Sequence, residues 1–489
     1  MSFKIAFIGA GSIGFTRKLV ADLLTVPEFA DVELAFTDIN SRNLKMVAEL
    51  CRADIEANGL KTRISATTKR REALKDAKYV FCVVRIGGLE AFQHDIDIPL
   101  KYGVDQCVGD TLCAGGLMYA QRGIAAILDF CRDIREVAHS DCLLLNYANP
   151  MAMMTWAANV YGGVNCVGLC HGVQHGHNQI AQVLGLKREE IDIICAGINH
   201  QTWYVSVKAK GRDCLDKILE GFQKHPEYSQ TEKVRMDMIK RFGYYSTESN
   251  GHLSEYVPWY RKRRDDIKNW IDLNFSWANG ETGGYLRVVT EGRNWFENEF
   301  GRGKRPETLD YTFENRSDEH GSHILEALET GRVYRGHFNM VNEGTITNLP
   351  ADAIIEAPGF VDRHGINMIQ VGDLPLGCAA VCNTSISVQR LGVEAAVHGD
   401  DQLLRQAFMM DPLTGAVCNP PEIWQMVDEL LVAQAKWLPQ YKRVSNAAKK
   451  RLKKGPLIKN KARKGAARLK TRSLAQLKRA NKGNPRAGH

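Results

Sequence analysis

Residues 4–14 read Lys4-Ile5-Ala6-Phe7-Ile8-Gly9-Ala10-Gly11-Ser12-Ile13-Gly14 and decide the fold of the N-terminal part. The apolar run predicts a buried strand, and the glycines follow it where a helix beginning near Phe15 would start. In this setting Gly9 permits a tight turn, Gly11 lets the backbone approach phosphate, and Gly14 lets the helix pack closely on the strand. The free N–H groups of the helix N-terminus favour an anion. We therefore predict a dinucleotide site formed by Gly9, Gly11, Ser12, Ile13 and Gly14.

An acidic residue ends the second predicted strand. Asp38 closes the segment 32–38 and lies 24 residues after Gly14. A carboxylate at about this distance accepts hydrogen bonds from the adenosine ribose in dinucleotide-binding folds. We therefore expect NAD rather than NADP.

Predicted strands and helices alternate through the first part of the chain. Apolar segments near 62–66, 78–84, 142–150 and 165–171 are separated by helical patterns near 15–24, 40–58 and 116–138. This alternation predicts an α/β fold, a doubly wound parallel sheet of the Rossmann-like kind. We expect it to span residues 1–195 and to be followed by a second, α+β domain at 196–440 for substrate binding, metal binding and oligomerisation. Helices are predicted there at 401–410 and 421–436.

The basic charge of the protein is concentrated at its C-terminus. Residues 441–489 hold 18 Lys and Arg and no acidic residue, whereas residues 1–440 carry 46 basic and 56 acidic side chains. The net positive charge therefore gives no general argument for nucleic acid or an acidic substrate. The tail at 441–489 is predicted to be disordered alone, and it is either a nucleic-acid-binding segment or a solvated appendage.

The thirteen cysteines lack the regular spacing of a disulfide scaffold, and several lie in apolar segments. This usage predicts buried, reduced thiols. There is no secretory leader pattern and no apolar stretch of membrane-spanning length. We expect a cytoplasmic protein with no membrane partner.

Three polar groups of residues follow apolar segments. They are Asn149, the pair Cys170-His171 and the pair Asn199-His200. The first two are expected at the carboxyl edge of the parallel sheet, on the side of the glycine loop. A thiolate and an imidazole brought together suit a divalent transition metal, although a Cys that ends a buried strand is more often inert.

Six motifs carry a resemblance to a known family: Gly-Ala-Gly-Ser at 9–12, Thr37-Asp38-Ile39, Gly109-Asp110-Thr111 with Gly115-Gly116, Asn149-Pro150-Met151-Ala152, Gly168-Leu169-Cys170-His171 and Ala196-Gly197-Ile198-Asn199-His200. In these the chain resembles glycoside hydrolase family 4, the NAD- and manganese-dependent glycosidases. Later stretches, Thr247-Glu248-Ser249 and 348–366, resemble its α-galactosidase-type branch. The likeness covers about residues 3–440 and leaves the tail outside it.

The resemblance implies a mechanism that differs from hydrolysis by two carboxylates. Bound NAD takes a hydride from C3 of the sugar, which acidifies the proton at C2. A base removes that proton while Mn²⁺ stabilises the charge that develops on the C2 and C3 oxygens. Elimination at C1, addition of water and return of the hydride complete a cycle without net oxidation.

The resemblance also implies roles for individual residues. Cys170 and His200 are the expected metal ligands, and Asn149 is expected to bind the cofactor and to contact sugar hydroxyls near the metal. His171 occupies the position where relatives that cleave phosphoglycosides have a carboxylic acid, so it is a proton donor, a substrate-orienting residue or a further metal contact. Asp110 is the alternative acid, or else a helix-capping loop residue. Glu248 is our first choice for the C2 base, ahead of Tyr256.

These features predict an exo-acting α-glycosidase, most specifically an α-galactosidase acting on a small-molecule α-glycoside. An α-glucosidase, α-glucuronidase or α-galacturonidase with the same mechanism is the alternative. From another class, an NAD-dependent dehydrogenase of the lactate/malate type remains open, as does a non-catalytic NAD-binding protein that docks on nucleic acid through its tail. The family resemblance further implies a homodimer or homotetramer.

Overall fold

The computed structural model describes residues 3–300, 307–459 and 465–481. Within these residues twelve strands form one sheet. The strands are β1 (Lys4–Ile8), β2 (Glu33–Thr37), β3 (Arg63–Thr67), β4 (Tyr79–Cys82), β5 (Leu143–Asn146), β6 (Asn165–Gly168), β7 (Ile191–Ile198), β8 (Gln201–Ala209), β9 (Arg212–Asp213), β10 (Tyr334–Val341), β11 (Ile354–Asp362) and β12 (Gly365–Met368).

Helices cover both faces of the sheet. In chain order they are α1 (Ile13–Leu24), α2 (Ser41–Ala57), α3 (Arg70–Leu74), α4 (Gly88–Lys101), α5 (Cys113–Val137), α6 (Met151–Trp156), α7 (Gly172–Leu184), α8 (Leu215–Lys224), α9 (Tyr228–Thr231), α10 (Lys233–Phe242), α11 (Asn250–Tyr256), α12 (Arg264–Ile267), α13 (Gly284–Phe300), α14 (His320–Thr330), α15 (Leu376–His398), α16 (Asp401–Met410), α17 (Pro412–Val417), α18 (Pro420–Ala433), α19 (Lys442–Lys454) and α20 (Leu474–Asn481). The helices expected at 401–410 and 421–436 correspond to α16 and α18.

The first six strands are parallel, in the order β3-β2-β1-β4-β5-β6. Alternate residues of β1 enter different cores: Ala6 and Ile8 pack on the side of α5, whereas Ile5 and Phe7 pack on the side of α1 and α2. A strand buried on both faces must be apolar throughout, which is why residues 5–8 form a continuous apolar run. The prediction of a doubly wound, Rossmann-like α/β sheet is confirmed.

Beyond β6 the sheet continues through antiparallel strands in the order β10-β11-β7-β8-β9, with β12 paired to β11. Gly168, Asn339, Glu356 and Gly197 form one row across four of these strands. The sequence does not predict this continuation, because the pairings that join β6 to β10 and β11 to β7 involve residues far apart in the chain. The boundary predicted at residue 195 lies inside β7, and the division into domains at 1–195 and 196–440 stays a prediction.

The C-terminal tail is folded where the structure describes it. The prediction of disorder is wrong for residues 442–459 and 465–481, which contain α19 and α20. Ser445 and Ala448 of α19 are buried, and Arg451 forms a bidentate ion pair with Asp428 of α18. The basic side chains thus find acidic partners on the body, which composition alone does not reveal. Residues 460–464 and 482–489 lie outside the described residues.

The sequence also predicts that the cysteines are buried and that no segment has the character of a membrane span. All thirteen cysteines are buried. Among the helices of residues 3–300, 307–459 and 465–481, none has the length and apolar character needed to cross a bilayer.

Candidate active site

The glycine loop after β1 has the backbone that the sequence predicts. Gly9 adopts a φ of +89°, and a Cβ there would lie 2.8 Å from Val84. A Cβ at Gly11 would lie 2.8 Å from Asp38 Oδ2, and the same carboxylate oxygen accepts the Gly11 N–H at 2.8 Å. Neither position tolerates a side chain, because the loop is folded tightly against the ends of β2 and β4.

Gly14 does not have the packing role predicted for it. A Cβ at this position would meet no atom within 4 Å, so close contact between α1 and β1 does not require glycine here. The N-terminus of α1 instead faces open space, and its N-cap residue Ser12 makes no side-chain capping hydrogen bond.

These features fit a dinucleotide. The uncapped helix N-terminus favours a pyrophosphate, and the Asp38 carboxylate is fixed by the N–H groups of Gly11 and Asn40. Beside it the apolar side chain of Ile39 is fully exposed, which suits packing against the flat aromatic base of a nucleotide. The residues present therefore fit NAD.

A cavity of about 360 Å³ connects the glycine loop to the predicted metal residues. Its lining comes from the ends of β1, β4, β5 and β6, from the β7–β8 turn and from α13. The residues are Ser12, Phe15, Val83, Val84, Arg85, Tyr119, Tyr147, Ala148, Asn149, Met151, Leu169, Cys170, His171, His200 and Tyr285. Four residues predicted separately, Ser12, Asn149, Cys170 and His200, thus share one cavity.

Cys170, His200 and Glu248 form a cluster of metal-binding side chains. One ligand atom from each lies within 4.8 Å of the others. The Cys170 thiol is 3.8 Å from Glu248 Oε1. Burial, and then the carboxylates of Glu248 and Glu356, raise the pKa of this thiol. A bound divalent cation would instead lower the pKa of the thiol, because it stabilises the thiolate. One sulfur, one imidazole and one carboxylate fit Mn²⁺ or a similar transition-metal ion.

The ring of His200 is oriented by a neighbouring hydroxyl. Thr111 Oγ1 donates to Asp110 Oδ1 at 2.9 Å and lies 2.8 Å from His200 Nδ1. Since the Thr111 hydrogen is committed to Asp110, the hydroxyl oxygen accepts from a protonated Nδ1. The Nε2 lone pair of His200 is then free for a metal.

Two residues of the same cluster are among the six non-glycine residues with positive φ in the described part of the chain. His200, in the turn between β7 and β8, has a φ of +63°, and Glu248 has a φ of +72°. Neither is glycine, so each conformation costs energy that the surrounding structure must supply. For Glu248 the hydrogen-bonded N-cap Ser249 anchors the chain at the start of α11.

The charge state of Glu248 is set by histidines. Burial opposes its ionisation, but His200, His252 and His171 together hold its pKa at about 2. Glu248 Oε2 lies 3.8 Å from His252 Nδ1. Glu248 is therefore an ionised acceptor beside Cys170, which lines the cavity.

A row of buried polar groups underlies the metal cluster. Asn199 Nδ2 donates to Glu356 Oε2 at 3.4 Å. Among the described residues, no hydrogen-bond partner is found for Asn199 Oδ1, Glu356 Oε1 or the two amide atoms of Asn339. Burial, and then the charge of Glu248, raise the pKa of Glu356 to about 8. Buried polar atoms without partners are costly, which fits a site whose ion and water complete the network.

Asp110 holds Asn149 and faces an arginine. Its Oδ2 accepts from Asn149 Nδ2 at 3.0 Å and lies 3.7 Å from the Arg85 guanidinium. Arg85 in turn lies over the rings of Phe92, Tyr119 and Tyr285. Asp110 is only 2% exposed and accepts hydrogen bonds on both oxygens.

His171 lies at the cavity mouth, at the N-cap of α7. Its side chain is 50% exposed, and its Nδ1 is 3.5 Å from Glu319 Oε1. Desolvation of its inner side lowers the pKa of His171, as does the proximity of His200. The ring is therefore neutral near neutral pH and accessible from the cavity.

Tyr256, our second choice for the base, is buried in α11, and its hydroxyl has no hydrogen-bond partner in the part of the chain that the structure describes. His252, one turn before it, was not predicted. With Asp110 and His200 it forms a second group of potential ligands whose atoms lie within 4.8 Å of one another. The sequence offered a weak signal, since His252 follows Glu248 by four residues at the start of a helix. Thr111, Arg85, Tyr285 and Glu356 were also missed.

Comparison with known proteins agrees with this geometry. The sequence matches the family profile described as Family 4 glycosyl hydrolase over residues 4–186 and that family's C-terminal domain over residues 195–414. This chain belongs to glycosyl hydrolase family 4. It is therefore a glycosidase, and the predicted resemblance is confirmed.

Individual relatives extend the comparison. An α-galactosidase of Rhizobium meliloti (strain 1021) is 60% identical over 483 residues, which cover 98% of this chain and 97% of that protein. An α-galactosidase of Bacillus subtilis (strain 168) is 34% identical over 440 residues, covering 90% and 100%. The 6-phospho-β-glucosidase of Thermotoga maritima, solved with manganese, NAD⁺ and glucose-6-phosphate, has the same fold at 23% identity, with a TM-score of 0.72 and coverage of 89% and 99%.

The first of these relatives corrects a prediction about the tail. An alignment that takes in 98% of this chain extends into residues 441–489. The expectation that the tail lies outside the family likeness is therefore wrong for this relative.

Proposed function

We propose that this family 4 glycosidase is an exo-acting α-galactosidase that uses NAD and Mn²⁺. One observation carries the proposal: a single cavity joins the nucleotide loop at Ser12 to Asn149, Cys170 and His200. A glycosidase that relied on two carboxylates alone would have no use for a nucleotide loop beside its site. The choice of galactose is supported by the two relatives named as α-galactosidases.

The chain's own residues would hold both groups. Gly9, Gly11, Ser12, Ile13 and Gly14 would bind the pyrophosphate of NAD, Asp38 would bind the ribose, and Asn149 would contact the cofactor and sugar hydroxyls. Cys170 and His200, with Glu248 beside them, hold the metal. When bound, NAD supplies reversible hydride transfer at C3 of the sugar, and Mn²⁺ supplies electrostatic stabilisation of the C2 and C3 oxygens.

Glu248 takes the proton from C2. Its carboxylate is ionised and lies in the metal cluster, where the carbon acid would be most activated. It is also close enough to Cys170 to contact the metal itself. These two roles are compatible, because one oxygen faces Cys170 and the other faces His252.

Of the two candidate acids, His171 donates the proton to the leaving group, and it does so from the minor fraction of molecules in which its ring is protonated. It is accessible at the cavity mouth, whereas Asp110 is buried and engaged as an acceptor on both oxygens. Asp110 instead positions Asn149 and, through Thr111, His200. We therefore assign Asp110 a positioning role.

Family membership favours a glycosidase over a net dehydrogenase. α-Glucosides, α-glucuronides and α-galacturonides remain alternative substrates of the same mechanism. A homodimer or homotetramer in the cytoplasm, and nucleic-acid binding confined to the tail, stay predictions.

The test is release of nitrophenol from α-galactoside and α-glucoside substrates by the reduced protein, with NAD and Mn²⁺ each supplied or omitted. We expect cleavage of the α-galactoside that requires both, without accumulation of NADH. Cleavage without NAD would contradict the mechanism. Faster cleavage of the α-glucoside would contradict the assigned sugar.

A further inference from the structure

The folded part of the tail contacts two segments that carry active-site residues. We call residues 465–473 the strap. They run along α13 and the irregular loop 102–112 that joins α4 to α5. The family comparison assigns this segment no role.

At its first contact the strap binds the start of the loop. The Ala466 N–H donates to Asp105 Oδ2 at 2.8 Å. Asp105 is 4% exposed and also accepts from the Thr282 hydroxyl and the Arg261 guanidinium. The strap thus completes the set of donors around a buried carboxylate.

At its second contact the strap pairs with the chain just before α13. Ala467 N–H donates to Thr282 Oγ1 at 3.2 Å, and Thr282 N–H donates to the Ala467 carbonyl at 3.3 Å. A Cβ at Gly465 would lie 2.6 Å from the Thr282 side chain, so the strap backbone is in close contact with that side chain.

A third contact fixes the strap to α13 itself. The Arg472 backbone N–H donates to Glu291 Oε1 at 2.7 Å, and its Nε donates to Oε2 at 2.9 Å. Glu291 is 3% exposed and also pairs with Arg287. Backbone and side-chain bonds to one buried carboxylate set the position of the strap in two directions.

Both segments that the strap contacts, the loop 102–112 and the chain before α13, continue directly into the active site. Loop residue Asp105 is followed by Asp110 and Thr111, which bind Asn149 and His200. Thr282 is followed by Tyr285, which lines the cavity and lies against Arg85.

The loop depends on such contacts for its position. Its middle is held by Glu255, which accepts the N–H groups of Cys107, Val108 and Gly109. Its neighbour segment is attached to it by the Gly283 N–H, which donates to the Gln106 carbonyl at 2.7 Å. Because the loop itself contains no helix or strand, each of these hydrogen bonds contributes to the position of Thr111.

We propose that the strap is a positioning element of the active site: through Asp105 and Thr282 it fixes the loop and wall that orient His200 and Asn149. This role rests on the proposed function only for the identity of the substrate. It predicts that loosening the strap weakens metal binding and turnover rather than only lowering stability.

The experiment uses three full-length variants. Ala466→Pro/Arg472→Gln removes the N–H that binds Asp105 and the charged contact to Glu291. Thr282→Val removes the hydroxyl that both Asp105 and Ala467 use, while keeping the side-chain shape. Arg451→Gln is the matched control, because Arg451 also joins the tail to the body through Asp428, on α18 and away from the cavity.

For each variant we would measure the Mn²⁺ dissociation constant from the electron paramagnetic resonance signal of free Mn²⁺, then kcat and KM on the α-galactoside, all well below the unfolding temperature. We expect the Mn²⁺ dissociation constant to rise about tenfold in Ala466→Pro/Arg472→Gln and in Thr282→Val. An effect of this size is at the low end of the range for residues that orient metal ligands. We also expect kcat to fall about tenfold while KM changes little, and the control to match the wild type.

Strap variants that bind Mn²⁺ and turn over like Arg451→Gln, with only a lower melting temperature, would overturn the proposal. A wild type that binds Mn²⁺ but does not cleave the α-galactoside would refute the proposed substrate, and the Mn²⁺ titration would still decide the role of the strap. A wild type that binds no Mn²⁺ would contradict both.

Discussion

The carboxylate of Glu248 occupies the space beside the α-carbon of Gly172, where a Cβ would lie 1.7 Å from Glu248 Oε1. Gly172 is the first residue of α7 and the second residue after Cys170. The absence of a side chain at Gly172 therefore lets Glu248 reach the thiol. This contact links the α7 N-terminus to the loop before α11.

Gly172→Ala should displace Glu248 and leave the fold intact. We expect kcat/KM on the α-galactoside to fall about a hundredfold, since a shift of about 1 Å in a catalytic group has effects of this size. Gly292→Ala is the matched control, because a Cβ there meets no atom of the described residues within 4 Å. Equal activity of the two variants would show that Glu248 does not act from this position.

Thr111→Val should weaken metal binding. The change removes the hydroxyl that accepts from His200 Nδ1, so the ring is no longer held with Nε2 free. We expect the Mn²⁺ dissociation constant to rise about 10- to 100-fold. Thr111→Ser keeps the hydroxyl and should bind Mn²⁺ like the wild type. Loss of affinity in the serine variant as well would point to packing instead of the hydrogen bond.

Asp38→Ala should weaken NAD binding. The carboxylate accepts the Gly11 N–H and is placed for the ribose hydroxyls, and hydrogen bonds to a charged group contribute about 1.5–3 kcal/mol. We expect the NAD dissociation constant, measured by calorimetry, to rise roughly 10- to 100-fold. The exposed acid Asp31 supplies the control Asp31→Ala. Unchanged NAD affinity in Asp38→Ala would refute the ribose assignment.

Acid should destabilise the protein through two histidines outside the metal cluster, the buried His337 and the half-buried His323. Burial lowers the pKa of His337 to about 3 and that of His323 to about 4. Below about pH 6.5 these histidines are protonated in the unfolded chain but stay neutral in the folded chain. The free energy of unfolding therefore decreases as the pH falls from about 6.5 to 4. Each histidine contributes up to about 1.4 kcal/mol per pH unit in that window.

The measurement is the urea midpoint at about pH 7 and pH 5. His337→Gln and His323→Gln should each lose less stability between the two pH values than the wild type. His139→Gln is the control, because His139 has a 48% exposed side chain. A wild type whose midpoint does not move with pH would contradict the assignment.

The sequence predicts what depends on neighbours close along the chain. The glycine loop, Asp38 and the alternation of strands and helices are local patterns, and they were placed correctly. Cys170 and His200 each end or follow an apolar segment, so their positions at strand ends were also predictable. Gly14 shows the limit of a motif, because spacing does not specify which atoms surround a residue.

What the sequence does not predict depends on distant contacts. Glu356 and Asn199 are 157 residues apart in the chain, and the continuation of the sheet through β10 and β11 brings them into contact. The tail was predicted to be disordered because it is low in complexity, rich in Lys and Arg, and nearly free of aromatic residues. Its partners Asp105, Glu291 and Asp428 are scattered over the body, and composition cannot reveal them.

The central claim, cleavage through removal of the C2 proton, is tested most directly by hydrolysing an α-galactoside in D₂O and examining the released galactose by NMR. The account predicts deuterium at C2 of the product, because the proton taken by Glu248 exchanges with solvent before it returns. Galactose released with its original hydrogen at C2 would contradict the account and indicate direct hydrolysis at C1.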